Sequence, residues 1–388
     1  MGVSMVEDLS PEEQSVLSPY VTSCDRPVFL LKNLPEEVVA VLFAYYSRSR
    51  ESLRQNLLKL IQQQDLDLHT KTVPIEESAD ALALAREKAR QFHEKWVVGY
   101  GHSSVAEHAI AHIALEDVSI IASKVIEDAR LASYTEKSTR YVVFEKGHYY
   151  RVPCLMRSPF GPIYEGTCDR LFDTYAALIP RMVEAIQKAL PRKPDQSERG
   201  YQTACQAKAC DILRYLLPAS TLTNIGMTLN ARTLEHLITK MSSHSLEEVR
   251  SIAAIMLDES IKLIPTLLKY AGFNPYIAQT HEALEALTGE LVTEKPAPTT
   301  RPVALVRYPE DAQDHLVAAI LYGYTHHGWE QVLRRVRQMP SQEKERVIDE
   351  YLSRRGPHDQ PLRALEHLYY TFDILVDFGA FRDIQRHR

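Results

Sequence analysis

The chain is short of several things that define large protein classes. Its five cysteines, Cys24, Cys154, Cys168, Cys205 and Cys210, form no CxxC pair and leave one over. That excludes a disulfide framework and a zinc-finger spacing, and it fits reduced thiols. No apolar run approaches the roughly 18 residues of a membrane span; the candidate Val28–Leu31 stops at Lys32, and mean hydropathy is −0.25. Met1–Ser10 has no basic stretch followed by an apolar one, so secretion is not expected and a cytoplasmic location is. Positive charge is also in deficit, with 45 Lys+Arg against 51 Asp+Glu and a net charge of −6. Broad nucleic-acid binding needs a basic field that is absent here. Anionic small molecules remain possible substrates where arginines cluster locally.

What is present is mostly helical pattern. Val28–Leu31 reads as a short buried strand, and Pro35-Glu36-Glu37 opens a helix towards Gln62. Further helices are expected over 78–98, ended by Gly99, and over 104–132, 164–191, 198–216, 221–242 and 245–272. Ser245-Leu246-Glu247-Glu248 reads as a capping box, Pro265 as a kink or end of that helix, and Tyr141–Phe144 as a strand. Thr288 to Pro302 is rich in Pro and Thr and reads as a linker. The class is helix-rich α+β.

The sequence also repeats itself. Pro27–Leu31 with Leu34-Pro35-Glu36-Glu37 has a counterpart in Pro302–Val306 with Tyr308-Pro309-Glu310-Asp311. Val41–Tyr46 matches Ala319–Tyr324, Glu107-His108 matches Glu366-His367, and Arg130 matches Arg388, all in the same order. The expected organisation is a first repeat over 1–290, a linker over 291–302, and the first part of a second repeat over 303–388.

Four clusters could carry chemistry. Gly101–His108 lies at an expected helix entrance, where free amides suit a phosphate or pyrophosphate. His108 and His112, four apart, could hold zinc with His102 and Glu107 in a hydrolase, but neither HExxH nor HxxEH is present and no metal is expected. Arg130–Tyr141 concentrates Arg130, Ser133, Glu136, Ser138 and Arg140, a candidate anion nest with an acceptor for a base N–H. Arg214–Pro218 precedes Asn230-Ala231-Arg232, and Arg232 and His236 share a helix face with Leu234, Leu237 and Met241 opposite. The chain closes on Gln385-Arg386-His387-Arg388. As ordinary structure, these would be a capped helix start, a polar turn, an amphipathic helix and cations at a helix C-terminus.

Taken in order, these clusters resemble the flavin-dependent thymidylate synthase family. That family shows H-x-[ST]-x-x-E-H, then R-H-R-x-x-S-x-N-E-x-S-x-R-Y, then A-R-x-x-L-P, N-x-R and a later arginine. His102, Ser104, Glu107 and His108 match the first segment. Arg130, Ser133, Glu136, Ser138, Arg140 and Tyr141 match the second from its third position; Arg214, Leu217, Pro218, Asn230 and Arg232 match the rest. Asp128 and Ala129 stand where the family has Arg-His, and Met241 where it has the later arginine. The second repeat holds an intact Arg386-His387-Arg388 but nothing downstream of it.

The resemblance implies a small central β-sheet flanked by long helices. It implies methylation of dUMP to dTMP, with methylenetetrahydrofolate as carbon donor, FAD as cofactor and NADPH as reductant. Glu136, Ser138, Arg140 and Arg214 would bind dUMP, with Arg214 also catalytic. Ser104, Arg130, Asn230, Arg232, His236, Arg386, His387 and Arg388 would bind FAD. A homo-oligomer, or a pseudo-symmetric pairing of the repeats, would complete each site. The alternative is a homologue that binds flavin or nucleotide, or scaffolds a partner, without turnover.

Overall fold

The computed structural model describes residues 9–46, 51–62, 103–295 and 301–385. They form two compact units: Met1–Thr293 together with the chain's end from Arg382, and Glu294–Phe381.

The first unit opens with α1 (Pro11–Leu17), capped reciprocally by Ser10 and Glu13, then α2 (Glu36–Tyr46) and α3 (Leu53–Gln62). Leu17, Val38, Leu42 and Leu57 bury together between them. The buried strand expected at Val28–Leu31 does not form; among the described residues no neighbouring strand offers it a ladder. Val28 and Leu30 are 82% and 69% exposed, Leu31 makes a lone bridge to Val21, and Phe29 lies 3.8 Å beneath the Arg54 guanidinium. The helix expected over 78–98 lies outside the described residues.

The helix expected over 104–132 is three different things: a 3-10 turn at Ser103–Glu107, strand β1 (Ile110–Ser119) and helix α4 (Ile120–Ile126). Val105, Ala109 and Ile113 imitate helical spacing although they span the 3-10 turn and the start of β1, and β1 carries a bulge between Leu115 and Val118 that breaks its alternation. At the bulge Asp117 takes φ 53°, a left-handed conformation that aspartate tolerates, and its N–H donates to Asn224 Oδ1 at 3.1 Å. Leu115 and Val118 thereby both point inward. Strand β2 (Ala132–Glu136) follows, within the stretch read as polar. Tyr141–Phe144, read as a strand, is turn and loop: Tyr141 is exposed and Phe144 is buried beside Tyr149 and Phe172.

Two long helices, α5 (Gly161–Ala189) and α6 (Glu198–Leu213), lie close to their expected spans and pack against each other. A Cβ on Gly161 would sit 2.9 Å from the Met156 carbonyl oxygen, so only glycine lets α5 start there without a backbone shift. The helix expected over 221–242 is a strand in its first half. Strand β3 (Leu222–Asn230) buries Thr223, Ile225, Met227 and Leu229 in strict alternation, the period of a sheet and not of a helix. Helix α7 (Ala231–Ser242) then begins at once, because Asn230 Oδ1 accepts from the Thr233 N–H at 2.8 Å.

Helix α8 (Glu247–Ser260) lacks the expected capping box: Leu246 is its N-cap. The Glu248 carboxylate is needed elsewhere, accepting from the Ser119 N–H at 2.7 Å and hydroxyl at 2.6 Å. This helix ends five residues before Pro265. Helix α9 (Pro275–Leu291), opened by Asn274 and Pro275, covers the first residues of the stretch read as linker.

The sheet has order β1-β3-β2, all antiparallel, with Met227 opposite both Ile113 and Tyr134. Its inner face packs on Leu234, Leu237, Ile238 and Met241 of α7 and on Val249, Ala253 and Met256 of α8. The fold is thus helix-rich α+β with a small sheet. Among the described residues no helix is long and apolar enough to cross a membrane.

The second unit contains β4 (Val303–Arg307), α10 (Ala312–Tyr322), α11 (Trp329–Arg337), α12 (Ser341–Leu352) and β5 (Thr371–Ile374), with β4 and β5 antiparallel. Val317, Val332, Leu333 and Val336 form its core. Helix α13 (Phe378–Ile384) ends the described chain. Helices α2 and α10, which overlap the segments Val41–Tyr46 and Ala319–Tyr324 matched in the sequence, each have 11 residues; the strands β1 and β5 that come after them differ in length, 10 residues against 4, and in pairing.

Leu234 is fully buried where α7 meets the sheet. Leu234→Ala should cost about 2–5 kcal/mol, read as a lower urea midpoint with an unchanged m-value.

Candidate functional site

At the end of β2, the Glu136 side chain turns inward and is 4% exposed. Ser123 Oγ donates to its Oε1 at 3.0 Å, Lys124 Nζ reaches its Oε2 at 3.3 Å, and Arg382 Nη2 lies 3.6 Å away. Lys124, itself buried, is also paired with Glu127. Beyond the strand, Ser138 Oγ accepts from the Arg140 N–H at 3.2 Å and sets the turn from which Arg140 extends.

Arg214 caps the C-terminus of α6 and opens a 3-10 turn, with its side chain only 6% exposed. Its Nη2 donates to Asp383 Oδ2 at 2.8 Å; its Nε, 3.5 Å from Asp211, makes no hydrogen bond among the described residues. Asp383 Oδ1 also lies 3.7 Å from Arg140 Nη2. The end of α13 is thus threaded among the expected nucleotide residues, and Gln385 Nε2 ties it further to the Lys124 carbonyl at 2.8 Å. The Arg214 hydrogen bond holds the Asp383 carboxyl below the usual carboxylate range. Burial opposes the charge on Arg214 more than any single contact favours it, but the hydrogen bonds to Asp383 and Tyr215 and the charges of Asp383 and Asp211 together outweigh burial, and the guanidinium is held more firmly protonated than usual.

A second pairing forms between the 3-10 turn and α7, where Arg232 meets Glu107 in an ion pair with both side chains nearly half exposed. Ser104 lies in that turn. The expected helix entrance at Gly101–His108 is corrected by this turn, which runs into a strand and presents no helix N-terminus. His108 stacks on Phe43 with ring centroids 4.6 Å apart. His112 lies in β1 with Nδ1 2.9 Å from Thr228 Oγ1, so the helical i,i+4 pairing of the two histidines is absent. Asn230 is occupied as a helix cap; His236 is exposed one turn further on. Arg130 is exposed just before β2.

Asp128 pairs with Lys240, and Met241 is fully buried in the core. His102, Arg386, His387 and Arg388 lie outside the described residues. A cavity of about 970 Å³ between β1 and α8, lined by Leu34, Ile113, Leu115 and Met256 among others, contains none of the expected nucleotide or flavin residues.

Sequence reasoning missed Lys124, Asp211, Arg382 and Asp383. For the last two a signal existed, since Arg382 and Asp383 lie four and three residues before Arg386 of the terminal Arg-His-Arg. Only folding shows that they reach residues far earlier in the chain.

The five cysteines are all free, and burial pushes the Cys210 thiol up, away from the nucleophilic thiolate.

Comparison with known proteins gives the following. The family model described as thymidylate synthase complementing protein matches residues 37–266. The UPF0159 protein of Chlamydia pneumoniae is 37% identical, over 98% of this chain and 74% of its own. The flavin-dependent thymidylate synthase of Clostridium tetani is 30% identical, over 52% of this chain and 76% of its own. Among solved structures, the UMP/dUMP methylase PolB from Streptomyces cacaoi bound with 5-Br dUMP aligns at TM-score 0.37 and 16% identity, covering 60% of this chain and 89% of that one.

The pKa of Asp383 is lowered on folding, so its stabilising contribution is complete above the ordinary carboxylate pKa and is lost as pH falls through the lowered value. The stability gap between the native chain and Asp383→Asn should therefore be widest near neutral pH and should narrow as pH falls below the ordinary carboxylate range, as read by urea midpoints across an acid pH series.

Proposed function

The chain belongs to the thymidylate synthase complementing protein family, and from that premise we propose that it methylates dUMP to dTMP with FAD as cofactor. Methylenetetrahydrofolate is the carbon donor in this reading and NADPH the reductant, and the chain works in the cytoplasm. The observation that carries it is the tertiary convergence of Glu136, Arg140 and Arg214, tied through Arg382 and Asp383.

Arg140 and Arg214 offer guanidinium donors to a phosphate, while Glu136, the acceptor the resemblance implies for the nucleotide, is turned inward onto Ser123, Lys124 and Arg382 and anchors the cluster. Arg214 has a buried Nε without a hydrogen-bond partner among the described residues. As a fixed cation in a site of low polarity, it stabilises negative charge developing on the uracil ring without reorganisation. Ser138 positions the Arg140 turn and the nucleotide. No cysteine nucleophile is called for.

The residues present fit a flavin dinucleotide. Arg232 and His236 present donors on the exposed face of α7, Glu107 faces Arg232, and Arg130 adds a cation; Ser104 is the further contact the family resemblance implies. Arg386, His387 and Arg388 would complete the grip from the second repeat. A homo-oligomer or a pseudo-symmetric pairing of the repeats brings the halves together. When bound and reduced, the flavin supplies the hydride.

A second reading is a flavin- or nucleotide-binding homologue without turnover. The Asp128–Lys240 pair and the buried Met241, at positions where the family has cations, favour it.

Absorption spectroscopy tests both. The purified chain should show flavin bands that shift on adding dUMP. Arg232→Ala should weaken flavin binding about tenfold or more, and Arg214→Ala should abolish the nucleotide-induced shift. A chain that takes up no FAD would overturn both readings as flavoproteins, and a shift without dTMP formation would select the second.

A further inference from the structure

Arg214 is almost fully buried, and a guanidinium so placed must have a countercharge. Asp383 supplies it at 2.8 Å and also faces Arg140 at 3.7 Å, so one carboxylate spans two cations. Asp211 approaches Arg214 from the helical side at 3.5 Å but makes no described contact with Arg140.

Among the described residues, Arg140, Arg214, Arg382 and Lys124 face Asp383, Asp211, Glu136 and Glu127, and Lys208 reaches Asp211 at 3.7 Å. With Asp383 between them, Arg140 and Arg214 are already engaged by a carboxylate when a dianion arrives. The carboxylates are not equally replaceable, however. Glu136 and Glu127 are 4% and 2% exposed and each meets buried Lys124. Asp383 is 41% exposed, so its carboxylate can turn into water, where solvation repays much of the lost pairing.

We propose that Asp383 is a specificity-determining residue of this site: its carboxylate holds the anion position between Arg214 and Arg140, and a phosphate-bearing ligand binds by displacing it. Guanidinium groups bind phosphoryl oxygens in the same forked geometry as a carboxylate, so the exchange replaces one anion by another of higher charge. An uncharged nucleoside gains nothing from arginines already paired. The ligand's identity as a nucleotide rests on the function proposed above; the anion position does not.

The full chain and Asp383→Asn are titrated calorimetrically with inorganic phosphate, dUMP and deoxyuridine. Removing the competing charge should tighten phosphate and dUMP on the order of tenfold and leave deoxyuridine unchanged. Asp383→Glu, which keeps the charge, should retain the native affinities. If Asp383→Asn does not fold, Asp383→Ser removes the same charge. Phosphate binding that is unchanged or weaker in the neutral variant would overturn the proposal, because a residue that only positions Arg214 behaves that way. If phosphate tightens while neither protein binds dUMP, the anion position stands and the uridylate reading falls.

Discussion

Strand β3 is the element on which the first unit hangs. It lies between β1 and β2, so every backbone hydrogen bond of the three-stranded sheet involves it, and its inward residues Ile225, Met227 and Leu229 form the floor of the main core. Its pairing with β2 puts Ile225 opposite Glu136, and its last residue, Asn230, starts α7 and so orients Arg232. Both candidate site groups therefore inherit their positions from one strand, whose register cannot slip by a residue without turning its apolar set to water.

The charged cluster is held by a different logic. Burying Lys124, Glu136 and Arg214 costs hydration free energy that ion pairs rarely return in full compared with an apolar core. What such a cluster does secure is uniqueness, since each buried charge is tolerable only with its partners in place. The end of α13 is placed in this way, with Asp383 answering Arg214, Arg382 answering Glu136 and Gln385 answering a backbone carbonyl. A site meant to bind an anion gains from the arrangement, because its cations are oriented before the ligand arrives.

The positions at which this chain departs from the motif pattern are not vacant surface. Asp128 has found Lys240, and Met241 has become core. Both are absorbed into the structure, while Arg140, Arg214 and Arg232 have ion-pair partners. The departures are thus accommodated locally, one by a surface ion pair and the other by apolar packing.

Read as a string, the chain declares its long helices clearly: α5 and α6 satisfy a 3.6-residue period over many turns, and the helical half of 221–242 does too. The motif residues were also legible, because they sit at characteristic spacings whatever the local structure. The strands were not. β1 hides its alternation behind a bulge at Asp117, and β3, read together with the helix that follows it, passes for a longer helix. The Ser245–Glu248 box was misread because a carboxylate can serve a cap or a buried serine, and only the neighbouring Ser119 decides which. The sequence alone therefore determined the helix-rich class and which side chains sit at the motif spacings, since periodicity and spacing are local properties of the chain. Tertiary structure alone decided which of those side chains meet, and that Asp383 stands between Arg140 and Arg214, since a pairing across 169 residues follows from packing and leaves no trace in local pattern.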